Sequence, residues 1–249
     1  GGVDSTYLAV VAREVLGRDR VLAVLGRSVS VPSDQVRDAI ALLAERDVPL
    51  TVVETGEVAD PRYAANPVNR CYFCKTGLWS VLGPMAQSSG FEVVIDGTNA
   101  DDLGEYRPGG AAGREHGVES PLAIVGLRKD EVRDLSRARG LRTWSQPASP
   151  CLASRIPYGT AVTATRLAEV ERAEAGLRAL GIDGNLRVRH HGDLARIELD
   201  ARILDAWLDP DRMARMARVC QAAGFERVTV DLAGFRSGSL NILDGVVAA

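Results

Sequence analysis

Short apolar runs alternate with segments of helical period across the first 145 residues, and this constrains the fold more than any other feature of the chain. Val21–Leu25 is almost wholly apolar, as a strand buried on both faces of a parallel sheet is. Leu50–Glu54 and Val93–Asp96 read the same way. Before the first of them, Tyr7–Leu16 is helical and ends at Gly17. Ser33 starts a helix through Arg46 with Val36, Ile40 and Leu43 on one face. Leu78–Ser88 can be helical up to Gly90, and Glu131–Arg139 up to Gly140. Repeated strand–helix units predict an α/β fold, a doubly wound parallel sheet with ligands at the strand C-termini.

The pattern changes at Ala148–Tyr158, which is rich in Pro, Ser and Gly. A helix over Thr165–Leu180 follows, then two hairpin strands, Leu186–Arg189 and Ala195–Glu198, around His191-Gly192-Asp193. Ala206–Ala223 is broadly helical with a break at Asp209-Pro210, and Val228–Asp231 is a closing strand. The boundaries are therefore 1–149 for the α/β domain and 150–249 for a second, smaller α+β domain. With 249 residues and 46% hydrophobic content the chain can build both cores. A net charge of −3 argues against nucleic acid as a general partner. No run of 18 apolar residues indicates a transmembrane helix. No secretory segment is seen, so a cytoplasmic location is expected.

The segment Gly1-Gly2-Val3-Asp4-Ser5-Thr6 leads into the apolar-rich run Tyr7–Val15 and reads as a loop feeding a helix. Such a loop can cradle phosphate with backbone N–H groups, the Ser5 and Thr6 hydroxyls and the positive end of the helix. The other reading is a bare terminus with Asp4 as a helix cap. It is not a Walker loop, since no Gly-Lys-Ser/Thr closes it. It resembles the GG-x-D-S pyrophosphate loop of the ATP pyrophosphatases, the PP-loop (adenine nucleotide alpha hydrolase-like) superfamily. Those enzymes split ATP into AMP and pyrophosphate while adenylating a substrate oxygen. They usually carry a Ser and a buried strand before the first Gly, so further residues upstream of Gly1 are expected.

Asp96-Gly97-Thr98-Asn99-Ala100-Asp101-Asp102 follows the third apolar run. Gly97 permits close backbone approach, Thr98 and Asn99 offer hydrogen bonds, and Asp101 and Asp102 could coordinate Mg²⁺. A polar turn with cap residues is the alternative. Arg107-Pro108-Gly109 is a rigid turn carrying one cation. Of the 30 basic residues only Lys75 and Lys129 are lysines. Lys129 starts a helix, where a positive charge gains nothing from the dipole. It is a solvated charge or a phosphate ligand, and PP-loop enzymes have a pyrophosphate-contacting lysine in this setting, which Lys129 matches.

Cys71 and Cys74 form a Cys-x-x-Cys unit in Asn69–Lys75, suited to two corners of a metal site or to a reducible disulfide. Cys151 lies in Pro150-Cys151-Leu152-Ala153-Ser154-Arg155-Ile156-Pro157-Tyr158-Gly159. Cys220, among Met213, Met216 and Ala217 on a helix, reads as core packing. Chain length, the α/β pattern and the spacing favour a cytosolic metal or redox site over two disulfides. Three thiolates suit a [4Fe-4S] cluster with one open iron; His190, His191 or Cys220 completing a zinc site is the alternative. Arg187 and Arg189, two apart on a strand, share a face and could clamp a phosphate. Glu171, Glu174 and Asp231 read as solvated charges or helpers of the site.

Together these blocks resemble the LarE family, ATP-dependent sulfur transferases that build the nickel-pincer nucleotide of lactate racemase. The resemblance runs through the Gly1–Ser5 loop, Asn69–Lys75, Asp96–Asp102 with Tyr106-Arg107-Pro108-Gly109, Ser120-Pro121-Leu122, Pro150–Gly159, Arg187-Val188-Arg189-His190-His191-Gly192-Asp193, and Gly234-Phe235-Arg236-Ser237-Gly238-Ser239. It implies ATP and Mg²⁺ as cofactors, with Gly1, Gly2, Asp4, Ser5, Thr6, Gly97, Thr98, Asn99 and Lys129 at the nucleotide. It implies a pyridinium-3,5-dicarboxylate mononucleotide as substrate, held by Arg107, Ser154, Arg155, Arg187 and Arg189. One branch sacrifices the sulfur of a cysteine at the position of Cys151. The other carries three cysteines and a [4Fe-4S] cluster, and Cys71, Cys74 and Cys151 place this chain there. A homo-oligomer, hexameric by the same resemblance, is expected. A tRNA thiolase, an amidotransferase-type synthetase and a non-catalytic nucleotide-binding scaffold are the competing readings.

Overall fold

The computed structural model describes residues 1–104, 107–147 and 149–236. The chain divides into two compact units: Gly1–Tyr63 with Asn69–Ser149, and Ala64–Val68 with the residues from Pro150 onward. The first is an α/β unit and the second a smaller α+β unit, the class that the alternation of elements predicts.

In the first unit, helices Val3–Leu16 and Ser33–Glu45 flank strand β1 (Ala23–Arg27), and strand β2 (Leu50–Glu54) pairs with β1 in parallel. Pairing starts at Ala23, two residues beyond the expected Val21. The turn before β2 sets this start. Asp47 takes a left-handed φ of 51°, and the Ala23 N–H donates to the Pro49 carbonyl at 2.8 Å. Val3, Tyr7, Val10, Leu43, Val48, Leu122, Val132 and Leu141 make one core; Trp79, Leu82 and Ala112 make another against Val24, Val53 and Val94.

Two expected elements differ. The helix predicted over Leu78–Ser88 runs from Arg70 to Ser88, with Pro84 inside it. Gly77, Gly83 and Pro84 lower the local propensity, but burial of Trp79 and Leu82 offsets that cost. Val93–Asp96 makes only one parallel bridge, Ile95 to Glu119. Its partner segment is short, bounded by Gly117 at a φ of 68° and by the helical turn Pro121–Ile124.

The second unit holds a three-stranded sheet. Strands β3 (Leu186–His191) and β4 (Leu194–Leu199) are antiparallel around a two-residue Gly192-Asp193 turn, and β5 (Arg227–Val230) runs parallel to β4. Helix Ala164–Ala179 is capped by Thr163 and buries Leu167, Val170, Ala173 and Leu177, an i, i+3/i+4 stripe. It packs closely on helix Pro210–Ala223, since a side chain at Gly176 would meet Val219 at 2.6 Å.

Residues 64–68 belong to this unit because of Asn66. It is fully buried at a φ of 55°, and its side-chain amide donates to the carbonyls of Pro157 (2.8 Å), Thr160 (2.9 Å) and Ile156 (3.3 Å). Asn tolerates that backbone conformation better than most residues. Asn66→Ala is therefore expected to destabilise the chain by about 2 kcal/mol, through orphaned carbonyls and backbone strain. A urea-denaturation midpoint equal to wild type would show that the carbonyls find other donors.

Candidate functional site

In the first unit the candidate nucleotide residues gather around the start of helix Val3–Leu16. The helix begins at Val3 rather than Tyr7, so Asp4, Ser5 and Thr6 form its first turn. The Thr6 N–H donates to the Gly2 carbonyl at 3.1 Å, whereas the N–H groups of Val3, Asp4 and Ser5 precede the first intrahelical bond and carry the positive end of the dipole. Gly1 lies where a side chain would strike Ala39 at 2.6 Å, whereas Gly2 has open space. Ser5 is exposed and Thr6 is buried.

Gly97 is the position where close approach matters. A Cβ there would lie 2.7 Å from the Ser5 nitrogen and 2.9 Å from its Cα. That contact sets the following turn beside the helix. Asp96 accepts from the Thr98 N–H (3.1 Å), the Thr98 hydroxyl (2.9 Å) and the Ser120 hydroxyl (2.7 Å). Asn99 is buried and its side-chain amide donates to Asp4 at 3.3 Å. The Lys129 ammonium rests on the other oxygen of Asp4. Lys129 is thus an ion-pair partner of the loop's own carboxylate. The role of Asp96 as the hub of this turn was not read from the sequence; its place at the end of an apolar run was the available signal.

Asp101 and Asp102 are both engaged. Asp101 accepts from the Lys129 N–H at 2.8 Å, capping that helix. Asp102 accepts from the Asn99 N–H at 3.1 Å and pairs with Arg107 at 2.7 Å. Among the described residues, no three His, Cys, Asp or Glu side chains are grouped to hold a metal. This still fits Mg²⁺, which is commonly bound by one or two carboxylates together with substrate phosphates.

Cys71 and Cys74 stand on the first turns of helix Arg70–Ser88, Cys71 exposed and Cys74 half-buried, neither in a disulfide. At i, i+3 the two thiols are neighbours on the helix surface, and such soft donors fit two adjacent corners of an iron–sulfur cluster. Cys74 also borders a cleft of about 220 Å³ with Glu54, Thr55, Glu57, Asp60 and Phe73.

In the second unit Cys151 precedes a tight turn, Leu152–Arg155. Arg155 is 1% exposed and holds this turn from within. It donates to the carbonyls of Pro150 (2.6 Å) and Cys151 (3.1 Å) and to the Ser154 hydroxyl (3.1 Å), and makes a two-pronged pair with Glu174 at 2.9 Å on each oxygen. Glu174 also accepts from the Val188 N–H at 3.0 Å, tying the cysteine turn to β3. Its spacing from Glu171 gave no sign of this. Arg189 is buried, paired to Glu198 at 2.7 Å, and donates to the Ser154 carbonyl at 3.0 Å. Arg187 is buried beside Phe235, its guanidinium 5.2 Å from the ring centre. Burial, and then the charge of Arg155, push its pKa down to about 10 against the pull of Glu174. Cys220 is buried as expected, and burial pushes its thiol up to about 12. Tyr106 and Ser237-Gly238-Ser239 lie outside the described residues.

No helix among the described residues is long and apolar enough to cross a membrane. Residues 1–63 match the NAD synthase family. The chain is 45% identical, over 97% of its length, to the uncharacterized protein slr1717 of Synechocystis sp., covering 89% of it. It is 38% identical, over 97% of its length, to a pyridinium-3,5-bisthiocarboxylic acid mononucleotide synthase of Lactiplantibacillus plantarum, covering 86% of it. Over 75% of its length it is 30% identical to a GMP synthase (glutamine-hydrolyzing) of Aeropyrum pernix, of which it spans 40%. Fold, phosphate-loop helix and relatives together define an ATP-using enzyme of the PP-loop type. Within that class, the chain belongs to the LarE family of sulfur transferases.

Two substitutions test the geometry. Gly97→Ala is expected to displace the Ser5 backbone and weaken ATP binding by roughly tenfold or more, the loss of one strong hydrogen bond, read by equilibrium titration. Glu174→Gln leaves the buried Arg155 charge uncompensated and is expected to cost about 3 kcal/mol. Chemical denaturation measures it, and a loss below a few tenths would mean another acceptor takes over.

Proposed function

We propose that the chain adenylates a ring carboxylate of a pyridinium-3,5-dicarboxylate mononucleotide and converts it to a thiocarboxylate. The carboxylate oxygen attacks the α-phosphorus of ATP and pyrophosphate leaves. A sulfur nucleophile then attacks the acyl carbon, and AMP departs with the acyl oxygen. The observation that carries the nucleotide half is the Gly97 backbone set against Ser5 at a helix N-terminus, with Lys129 and Asp4 alongside. Exposed amides and a lysine there stabilise the charge that grows on the leaving pyrophosphate. Mg²⁺ would be shared between the phosphates and the acidic turn Asp101-Asp102.

In the second unit Arg155 holds the Cys151 turn in place, and Arg187 and Arg189, with Ser154, are the residues we assign to the substrate's phosphate. A [4Fe-4S] cluster on Cys71, Cys74 and Cys151 would supply an open iron position for sulfide. The relative from Lactiplantibacillus plantarum, named for the bisthiocarboxylic product, supports the substrate class.

The deciding experiment uses anaerobically prepared protein with ATP, Mg²⁺ and the dicarboxylate mononucleotide. Pyrophosphate release that depends on the mononucleotide, a thiocarboxylate product, and iron with acid-labile sulfide that Cys71→Ala removes are the expected results. Mass analysis of Cys151 after turnover separates the sulfur sources. An intact thiol supports delivery through the cluster, whereas dehydroalanine would show that the cysteine's own sulfur is consumed. Stoichiometric zinc without iron would overturn the cluster.

A further inference from the structure

The two lysines of the chain are in different electrostatic states. Lys129 is neutralised by Asp4. Lys75 is half-buried and makes no ion pair with any described residue. It is not a loose surface lysine. Its stem abuts the Arg107-Pro108-Gly109 turn so closely that a Cβ on Gly109 would fall 3.0 Å from the Lys75 Cγ, and its ammonium lies 5.2 Å from the centre of the Trp79 ring.

Its place in the α/β unit is informative. One turn further along the same helix, Leu78 packs on Gly26 of β1. Phe73 and Cys74 border Glu54 and Thr55 at the end of β2. The first turns of this helix therefore stand at the C-terminal ends of the parallel strands, where an open α/β sheet binds its ligands. The charge of Lys75 also reaches the phosphate loop. Lys75 acts electrostatically on the Gly1 nitrogen, which puts its charge within reach of that loop.

We propose that Lys75 is a phosphate-binding residue of the nucleotide site, taking an oxygen of the β- or γ-phosphate of ATP and then of the released pyrophosphate. The proposal rests on the reading of this unit as the ATP site. Lys129 shares its charge with Asp4, so an unpaired cation close to the loop adds to the attraction for a triphosphate. A lysine ammonium, a compact charge with three rotatable donors, suits a phosphate oxygen that changes position as the leaving group departs.

Equilibrium titrations of wild type, Lys75→Met and Lys75→Arg with ATP, pyrophosphate, AMP and the pyridinium mononucleotide test it. Lys75→Met is expected to weaken ATP and pyrophosphate by roughly tenfold or more, the size of one charge-assisted hydrogen bond. AMP and the mononucleotide should be little changed, and Lys75→Arg should restore much of the loss. Unchanged ATP and pyrophosphate affinity in Lys75→Met, with wild type binding both, would overturn the assignment and leave the ATP site standing. A loss confined to the mononucleotide would also overturn it, by giving Lys75 to the substrate's phosphate. Wild type that binds neither ATP nor pyrophosphate would sink the nucleotide reading itself. Wild-type protein gives a second measure that needs no variant. Pyrophosphate should shield Lys75 from an amine-acylating reagent while AMP does not, and equal labelling with and without pyrophosphate would refute the proposal.

Discussion

The contact between the Gly97 backbone and the first turn of helix Val3–Leu16 is the constraint on which the α/β unit's chemistry depends. With no side chain at 97, the Asp96–Asp102 turn can lie against Ser5. Once there, Asn99 reaches Asp4, Asp4 takes Lys129, and the Lys129 N–H binds Asp101. Three segments distant in sequence close into a single ring of polar contacts. The N–H groups of Val3, Asp4 and Ser5 precede the first intrahelical bond, which is the condition for receiving an oxyanion.

The second unit reaches order by a different route. Its cysteine turn is held by buried charge rather than by close backbone contact. Arg155 spends its donors on two carbonyls, a hydroxyl and both oxygens of Glu174. The net stability of such a pair is small, because desolvation offsets attraction. Its effect is directional, since a planar fork with every prong used permits one backbone path for Pro150, Cys151 and Ser154. Arg189 repeats the device against Glu198 and grips the Ser154 carbonyl from the strand side.

Much of this was legible in the sequence, for identifiable reasons. An apolar run as short as Leu50–Glu54 reads as a strand when helical segments flank it, and Gly140 and Gly192 mark an end and a turn by their backbone preferences. The helical start at Arg70 was not legible, because glycines and a proline read locally as breakers and only the burial of Trp79 and Leu82 outweighs them. Val93–Asp96 was read as a full strand because its apolar content was visible and the shortness of its partner was not. At the site, the two-residue spacing of Arg187 and Arg189 announced a shared face. That this face is buried depends on Glu174 and Glu198, which arrive from a helix and a neighbouring strand. Long-range pairing of this kind leaves no periodic trace.

The Asn66 buckle has a consequence for how the polypeptide can be cut. Because residues 64–68 fold with the later unit while their flanks fold with the earlier one, the backbone passes between the units at three points rather than one. Neither unit is a contiguous stretch of gene. A fragment ending at Ser149 would carry five residues that belong to the missing half, and the complementary fragment would lack the amide that closes its Ile156–Thr160 loop. A cut at Ser149 therefore does not separate two self-contained folding units.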